Sequence, residues 1–328
     1  MVPLHSSHHS EIRMKFISLS SALLLAFPTL LAAQALAPAA GDPRAPLFVT
    51  SEWVSKHLRD PNVVLLHVGD PKDYPAAHIP GARLISVPDV SVGDRTGTGL
   101  LIEMPTPDTL RAHLAALGIS DDSRIVLYYG KDWISPTTRI LLTLTWAGLG
   151  DRASILDGGM GAWTGAGHPT TADVPAPQPG TLSPLRVRNF VVDAEYVKSM
   201  IGKAGVSIVD ARAPAFYDGT QTGGSAASPH KTGHISGARN VPFSAVTDDA
   251  LRFRSTAELA DVFTKAGVGP NDVVIGYCHL GQQATMMLTA ARLLGHPVLL
   301  YDGSFQDWSR LSDAPVETKV SGIMTHPK

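Results

Sequence analysis

The sequence contains one cysteine, Cys278, and its neighbours are those of a reactive thiol. The residues before it, Val273–Tyr277, are mostly β-branched and predict a short buried strand. After Gly281, apolar residues recur at helical spacing over 282–294. Cys278 is therefore predicted to lie between a strand and a helix, in a loop whose unpaired backbone N–H groups can bind an anion.

Two interpretations of this cysteine follow. A lone cysteine is most commonly a small buried apolar residue. A thiol surrounded by N–H groups is instead stabilised as the thiolate, which is the nucleophilic form. The pattern around Cys278 alone does not separate these two interpretations.

Length and composition indicate about two globular domains. The chain has 328 residues, of which 44% are hydrophobic and 17% charged, and its net charge is −2. This near-neutral balance gives no electrostatic basis for binding nucleic acid or a membrane surface. The sequence has no metal-ligand cluster, P-loop or dinucleotide fingerprint, so we expect no metal and no cofactor.

Residues 1–37 are predicted to be an upstream extension followed by a signal peptide. The segment 14–37 has a basic start, a short apolar region and small residues at its end. The alternative is an N-terminal membrane anchor, but the apolar region is short and interrupted for a span. We expect an exported protein, periplasmic in a Gram-negative source, without stable membrane association after cleavage. In an oxidising compartment, a thiol without a function is exposed to unwanted oxidation. Export therefore favours the reactive interpretation of Cys278.

The remainder of the chain is an imperfect tandem repeat. The segment 77–83 recurs as 233–239, and strand-like and helix-like segments recur in the same order around it. Alternating strands and helices predict mostly parallel sheets, which bind ligands at the carboxyl ends of their strands. The repeat predicts a first domain, a proline-rich linker and a second domain, at 46–168, 169–186 and 187–316.

These features together resemble the tandem-domain rhodanese family, which includes thiosulfate and 3-mercaptopyruvate sulfurtransferases. The resemblance rests on the repeated His-Ile-x-Gly-Ala-Arg segments, on 209–212 (Val-Asp-Ala-Arg), on the Cys278 loop, and on Asp-Gly segments followed by Trp163 and Trp308. It implies an α/β fold of two tandem rhodanese-like domains. Each would be a mostly parallel five-stranded sheet flanked by helices, and the second would be catalytic.

The resemblance also implies an activity, that of a sulfurtransferase. Cys278 would take sulfane sulfur from a small anionic donor such as thiosulfate and pass it, through a persulfide, to cyanide or a thiol. Arg212 is a candidate anchor for the donor, and a structural ion pair with Asp210 is the alternative. The predicted substrate-binding residues are Arg212, His279, Leu280, Gly281, Gln282 and Gln283.

The first half is expected to be a non-catalytic partner that helps to close the cleft. When the two halves are compared, Gly130 matches the position of Cys278, and Gly69 matches that of Arg212. Both the nucleophile and the cation would then be missing from this half.

The donor remains open between two classes. Thiosulfate sulfurtransferases of this type carry basic residues after the cysteine, where this chain has His279 and Leu280. The second arginine of mercaptopyruvate enzymes is missing from 214–217. We predict thiosulfate or a related anion, held weakly, with 3-mercaptopyruvate as the next candidate. The insertion 219–231 either shapes the cleft or is a surface loop.

Two other functions are weighed against a sulfurtransferase. A non-catalytic sulfur carrier or binding module on the same fold is the alternative, and the intact Cys278 loop argues against it. A dual-specificity phosphatase needs an arginine in that loop, and 278–288 contains none. The sequence leaves the oligomeric state open.

Overall fold

A computed structural model describes residues 1, 36, 44–94, 96, 99–130, 134–225 and 228–319. The chain divides into two compact units, 1–32 and 33–328, and all elements named below belong to the second. Apart from Leu36, the predicted signal segment 14–37 lies outside the described residues. Among the residues described, we find no helix whose length and apolar character would let it cross a membrane.

The first half alternates strands and helices, as the sequence predicts. Its elements are β1 (Phe48–Val49), α1 (Ser51–His57), β2 (Val63–Val68), β3 (Arg83–Ile85), α2 (Pro107–Ala116), β4 (Arg124–Tyr129), α3 (Ser135–Trp146), β5 (Ala153–Leu156) and α4 (Gly159–Gly165). All strand pairs in the order β1-β5-β4-β2-β3 are parallel. The central strands β2 and β4 are buried over nearly their whole length, because helices cover both faces of the sheet.

The second half repeats this order with extra short strands. Its elements are β6 (Val191–Val192), α5 (Ala194–Met200), β7 (Val206–Asp210), α6 (Pro214–Asp218), β8 (Gly224–Ser225), β9 (Ser228–Pro229), β10 (His234–Ile235), β11 (Arg239–Asn240), α7 (Thr256–Lys265), β12 (Val273–Tyr277), α8 (Ala284–Leu293), β13 (Val298–Tyr301), α9 (Ser304–Trp308) and β14 (Val316–Glu317). Its main sheet, β6-β13-β12-β7-β11, is also parallel and five-stranded. The predicted fold class is confirmed.

Local signals explain several element boundaries. Thr106 caps α2, whose first residue is Pro107, and Ser255 forms a capping box with Glu258 at the start of α7. Between the halves, 172–188 forms no helix or strand. One apolar core runs through both halves, so the two sheets form a single packed body.

The register of the equivalent strands shows which residues of the two halves correspond. Asp210 of β7 lies opposite Tyr277 of β12, and His67 of β2 lies opposite Tyr128 of β4. The hydroxyls of Tyr128 and Tyr277 each accept a hydrogen bond from the isoleucine N–H of the repeated segment, at 3.0 and 3.1 Å. Tyr128 is therefore the counterpart of Tyr277.

This register corrects the predicted counterpart of the cysteine. Tyr129, the residue after Tyr128, takes the position of Cys278, and the assignment of Gly130 was wrong by one residue. Strand β4 ends in two adjacent tyrosines, and only the pairing of β4 with β2 decides which of them corresponds to Tyr277. The Tyr129 hydroxyl donates to the carbonyl of Leu251 at 2.9 Å, so the side chain at the cysteine position joins the two halves.

Candidate active site

Cys278 lies at the carboxyl end of β12, the central strand of the second sheet, and is 1% exposed. Its backbone is fixed from both sides by the first turn of α9. The Cys278 N–H donates to Ser304 Oγ at 3.2 Å, and the Cys278 carbonyl accepts from the Phe305 N–H at 3.0 Å. The thiol therefore has a defined position, since its own main chain is held in place.

The loop after the cysteine, 279–283, is a series of backbone donors. Within the described residues, none of the five N–H groups donates a hydrogen bond to another protein group. Gly281 has a φ of +81°, and a Cβ there would lie 2.6 Å from the Asp302 carbonyl oxygen, so only glycine fits this turn. Such a loop can surround an anion or the charge on a sulfur atom.

Arg212 follows β7 at the same edge of the sheet and is paired with Asp210. Its Nε lies 3.0 Å from both carboxylate oxygens, and one terminal nitrogen donates to the Asp210 carboxylate at 2.5 Å and to the Gly233 carbonyl at 2.7 Å. Burial lowers the pKa of Arg212, but the Asp210 charge and hydrogen bonds outweigh this, so the pKa is raised overall. The guanidinium is a permanent cation whose charge is largely balanced by its carboxylate partner.

One donor of Arg212 remains for a ligand. In the described part of the chain, Nη1 takes part in no hydrogen bond. The guanidinium carbon lies 3.9 Å from the centre of the Phe305 ring, and Phe305 also holds the Cys278 carbonyl. The structure therefore contains the Asp210 ion pair and also leaves Arg212 beside the cysteine loop.

His279 packs beneath the insertion 219–231. Its ring contacts Phe216 edge-on at 4.6 Å and lies 5.6 Å from the ring of His230, which the insertion supplies. Burial, and then the nearby charge of Arg212, lowers the pKa of His279 to about 4, so its imidazole is neutral at pH 7. The same causes lower the pKa of His230 to about 4.

The insertion is docked on the site. Lys231 Nζ donates to the carbonyls of Leu311 and Ala314 at 2.6 and 2.7 Å. At Gly223 a Cβ would lie 2.8 Å from the His279 ring, which shows how closely the hairpin backbone approaches the cysteine loop. Of the two alternatives, the described residues of this insertion support the one in which it forms a wall of the site.

Helix α3 of the first half contacts the cysteine loop and holds it in place. Arg139, fully buried, donates to the Gly281 carbonyl at 3.3 Å and forms an ion pair with Asp302. At neighbouring positions, Gln282 Nε2 donates to Ser135 Oγ at 3.0 Å, and Thr138 and Thr285 share a hydrogen bond of 2.8 Å. The first half therefore fixes the cysteine loop through the Gly281 carbonyl and the Gln282 side chain.

The segment 99–104 of the first half lies beside this support, and its Glu103 forms an antiparallel bridge with Val92. The Met104 N–H donates to Asp302 at 2.8 Å, and the Leu101 N–H donates to the Gln306 side chain at 3.0 Å. Burial, and then the charge of Asp302, raises the pKa of Glu103 to about 7. Between this segment and the cysteine loop lies a cleft of about 610 Å³, with Leu280 and Gln282 among its lining residues.

The corresponding site in the first half is filled. His67, the counterpart of Asp210, is buried, and neither ring nitrogen has a hydrogen-bond partner among the described residues. A Cβ at Gly69, the counterpart of Arg212, would lie 2.5 Å from the His67 ring. Burial lowers the pKa of His67 to about 4, so this half has a neutral ring where the second half has an ion pair.

Comparison with known proteins identifies the family. A model of the rhodanese-like domain matches residues 50–166 and 193–311, more than half of the chain. The chain belongs to the rhodanese family. Its rhodanese domains correspond to the two halves described above, and the protein is a sulfurtransferase of the rhodanese type.

Relatives of this chain carry two activity names. It is 30% identical over 276 residues to a thiosulfate sulfurtransferase of Pseudomonas aeruginosa, covering 83% of this chain and 97% of the relative. It is equally 30% identical to a probable 3-mercaptopyruvate sulfurtransferase of the same organism, covering 82% and 97%. The rat thiosulfate sulfurtransferase is 32% identical over 76% of this chain and 82% of its own.

Solved structures share the fold of this chain. A persulfide form of EanB with ergothioneine superposes with a TM-score of 0.74 at 24% identity, over 85% of this chain and 72% of that one. YnjE superposes with a TM-score of 0.73, also at 24% identity, over 84% of this chain and 69% of that one. At these identities the likeness concerns the fold.

Sequence reasoning missed the support from the first half. Sequence patterns do not single out Arg139 or Glu103, and they indicate that Asp302 is a turn residue rather than an acid. The available signal was a single arginine inside the otherwise uncharged α3, because a buried charge needs a partner. Among the described residues, no group of three or more His, Cys, Asp or Glu could hold a metal ion.

Proposed function

We propose that this rhodanese transfers sulfane sulfur from a small anionic donor to cyanide or a thiol through a persulfide on Cys278. The observation that carries the proposal is the loop 279–283, whose five N–H groups are unpaired in the described structure and follow the buried thiol directly. These groups would stabilise the thiolate and the persulfide charge. Arg212 would anchor the donor through Nη1.

The first step with thiosulfate would be attack of the Cys278 thiolate on the outer sulfur. A new S–S bond forms to Cys278, the S–S bond of thiosulfate breaks, and sulfite leaves with the electron pair. Cyanide then attacks the outer sulfur of the persulfide, giving thiocyanate and restoring the thiolate. This is covalent catalysis in two steps.

A second donor, 3-mercaptopyruvate, is supported by a separate observation. One relative at 30% identity is named a probable 3-mercaptopyruvate sulfurtransferase. In this case the Cys278 thiolate would attack the thiol sulfur of the donor, and an S–S bond would form as the C–S bond breaks. The pyruvate enolate would leave with the electron pair and take a proton from water. Because His279 is neutral and Arg212 is balanced by Asp210, the singly charged donor would lose less on entering the site than thiosulfate.

The experiment is a donor panel with cyanide as acceptor. Thiosulfate and 3-mercaptopyruvate should each give thiocyanate with steady turnover, and mass spectrometry should find one added sulfur atom on Cys278. Cys278→Ser should give neither product nor adduct. Loading of one sulfur without turnover would favour the sulfur-carrier alternative, and turnover by Cys278→Ser would refute the persulfide route.

We propose further that the protein is exported after removal of about the first 33–37 residues. The support is the pattern of 14–37, with its basic start, short apolar region and small residues. Native protein should begin near Gln34–Pro38 on N-terminal sequencing. Retention of the apolar region in the native protein would contradict this proposal.

A further inference from the structure

The cleft beside the cysteine loop is much larger than an inorganic donor or cyanide requires. Its volume is about 610 Å³, within the range of roughly 300–1,000 Å³ typical of pockets for organic molecules. Thiosulfate and cyanide contain only a few atoms each. Most of this space would stay empty or filled with water when either of them is in the site.

The walls of the cleft carry several apolar side chains and, among the described residues, no ionisable one. The first half supplies Val87, Leu101 and Ile102, and the cysteine loop supplies Leu280. Within the described structure, no ionisable side chain lines the cleft, and its polar side chains, including Gln282, are neutral. Such a surface suits an uncharged apolar body and offers no compensation to an anion.

The rim of the cleft exposes an apolar side chain to water. Leu101, which lines the cleft, is 39% exposed. The segment 99–104 is already fixed to the second half, since Gln306 accepts the Leu101 N–H and Asp302 accepts the Met104 N–H. The cleft is therefore preformed, and its exposed rim is the kind of patch that an apolar ligand covers.

The cleft adjoins the loop that follows the reacting cysteine. Leu280 and Gln282 lie on the loop that begins at Cys278, so a molecule in the cleft contacts that loop directly. A persulfide extends the sulfur by about 2 Å beyond the cysteine sulfur. The donor site is formed by N–H groups and Arg212, whereas the cleft has neither a cation nor an anion.

We propose that this cleft binds the apolar body of an organic thiol, which is the sulfur acceptor of this enzyme. The proposal rests on the proposed Cys278 persulfide. The thiolate of the acceptor attacks the outer persulfide sulfur, a new S–S bond forms, and the bond to Cys278 breaks with its electron pair returning to Cys278. The products are an organic persulfide and the restored thiolate, so no oxidant or reductant is required.

The test measures discharge of the persulfide. The full chain is loaded with thiosulfate, excess donor is removed, and the second-order discharge rate is measured with straight-chain alkanethiols of increasing length. 2-Mercaptoethanol and cyanide serve as polar references. Since all the alkanethiols share one reacting group, the rate should rise by up to about fourfold for each added methylene until the cleft is filled. A rate independent of chain length would overturn the proposal.

Two matched variants connect the effect to the cleft. Leu101→Asn should lower the rate with the longest effective alkanethiol by about fivefold and leave the cyanide rate unchanged. Val174→Asn makes a similar change at a 60% exposed valine outside the cleft and should change neither rate. Equal losses with cyanide and alkanethiols in Leu101→Asn would show a structural role only and would contradict the proposal.

A binding measurement separates this inference from the proposed function. Hexyl methyl sulfide, an unreactive apolar analogue, should bind the wild-type chain in calorimetry, and Leu101→Asn should weaken that binding by about fivefold. If no donor transfers sulfur to Cys278, the proposed function is wrong, and the calorimetric measurement still tests whether the cleft binds an apolar ligand. If donors turn over with cyanide but the analogue does not bind, the cleft proposal alone fails.

Discussion

Arg139 of the first half forms an ion pair with Asp302 of the second, and both side chains are buried. The same guanidinium donates to the Gly281 carbonyl, within the loop that follows Cys278. The half without a nucleophile therefore supplies a charged residue that holds the nucleophile's loop.

We predict that Arg139→Met destabilises the protein by about 3–5 kcal/mol, because it leaves the Asp302 carboxylate buried without its cation. Arg139→Met combined with Asp302→Asn should recover part of this loss. Urea denaturation of the two single variants and the double variant measures the coupling. Additive losses would show that the two residues do not interact energetically.

Arg139→Lys should separate the effect of the positive charge beside Asp302 from the effect of the contact with the Gly281 carbonyl. Lysine keeps a positive charge near Asp302, but it loses the planar group that bonds the carboxylate and the Gly281 carbonyl together. We expect a smaller stability loss than in Arg139→Met, with a several-fold lower kcat for sulfur transfer. An unchanged kcat would mean that the loop keeps its geometry without this contact.

The second prediction concerns the asymmetry of the halves. Cys278→Ser should abolish sulfur transfer, and neither Tyr129→Cys nor Gly130→Cys should restore it in that background. The reason is that His67 fills the space where the second half holds the Asp210–Arg212 pair. Thiocyanate formation from thiosulfate measures the outcome, and appreciable recovery in either double variant would contradict this explanation.

The third prediction adds a charge to the cysteine loop. Leu280→Lys should lower the KM for thiosulfate by up to about tenfold and steepen its dependence on salt, since the loop has no cation of its own. Val187→Lys adds the same charge at an exposed position of the linker end and is the control. If wild type already binds thiosulfate tightly and Leu280→Lys changes nothing, other groups hold the anion.

The fourth prediction follows from the raised pKa of Glu103. Its pKa is about 7 in the folded protein against 4.5 for the free group, so the folded state binds the proton more tightly. This contribution to stability is fully present below pH 4.5 and is lost as the pH rises through 7. Because the group is only partly buried, we expect a loss on the order of 1–2 kcal/mol.

Glu103→Gln provides the measurement for this contribution. Wild type and variant should have similar free energies of unfolding at pH 5, and the variant should be the more stable one at pH 8. The difference in the free energy of unfolding between wild type and variant removes the contributions of the other titrating groups. The same difference at both pH values would mean that Glu103 keeps an ordinary pKa in the folded protein.

Much of the architecture was readable from the chain itself. The repeated segments, the β-branched runs and the helical spacing of apolar residues are local patterns, and they predicted two α/β domains and the position of Cys278 at a strand end. These predictions were correct because hydrophobic period and turn residues act over a few neighbouring positions. The glycine at 281 similarly indicated a tight turn, which its positive φ bears out.

Only the tertiary structure decided how the halves correspond and how they work together. Tyr129 rather than Gly130 matches Cys278, since strand pairing sets the register and two adjacent tyrosines are equivalent in a sequence comparison. Arg139 and Asp302 are 163 residues apart, and no local pattern connects them. Burial of charge is a property of the packed interface, so the partner of each charge is fixed only when both halves have folded against each other.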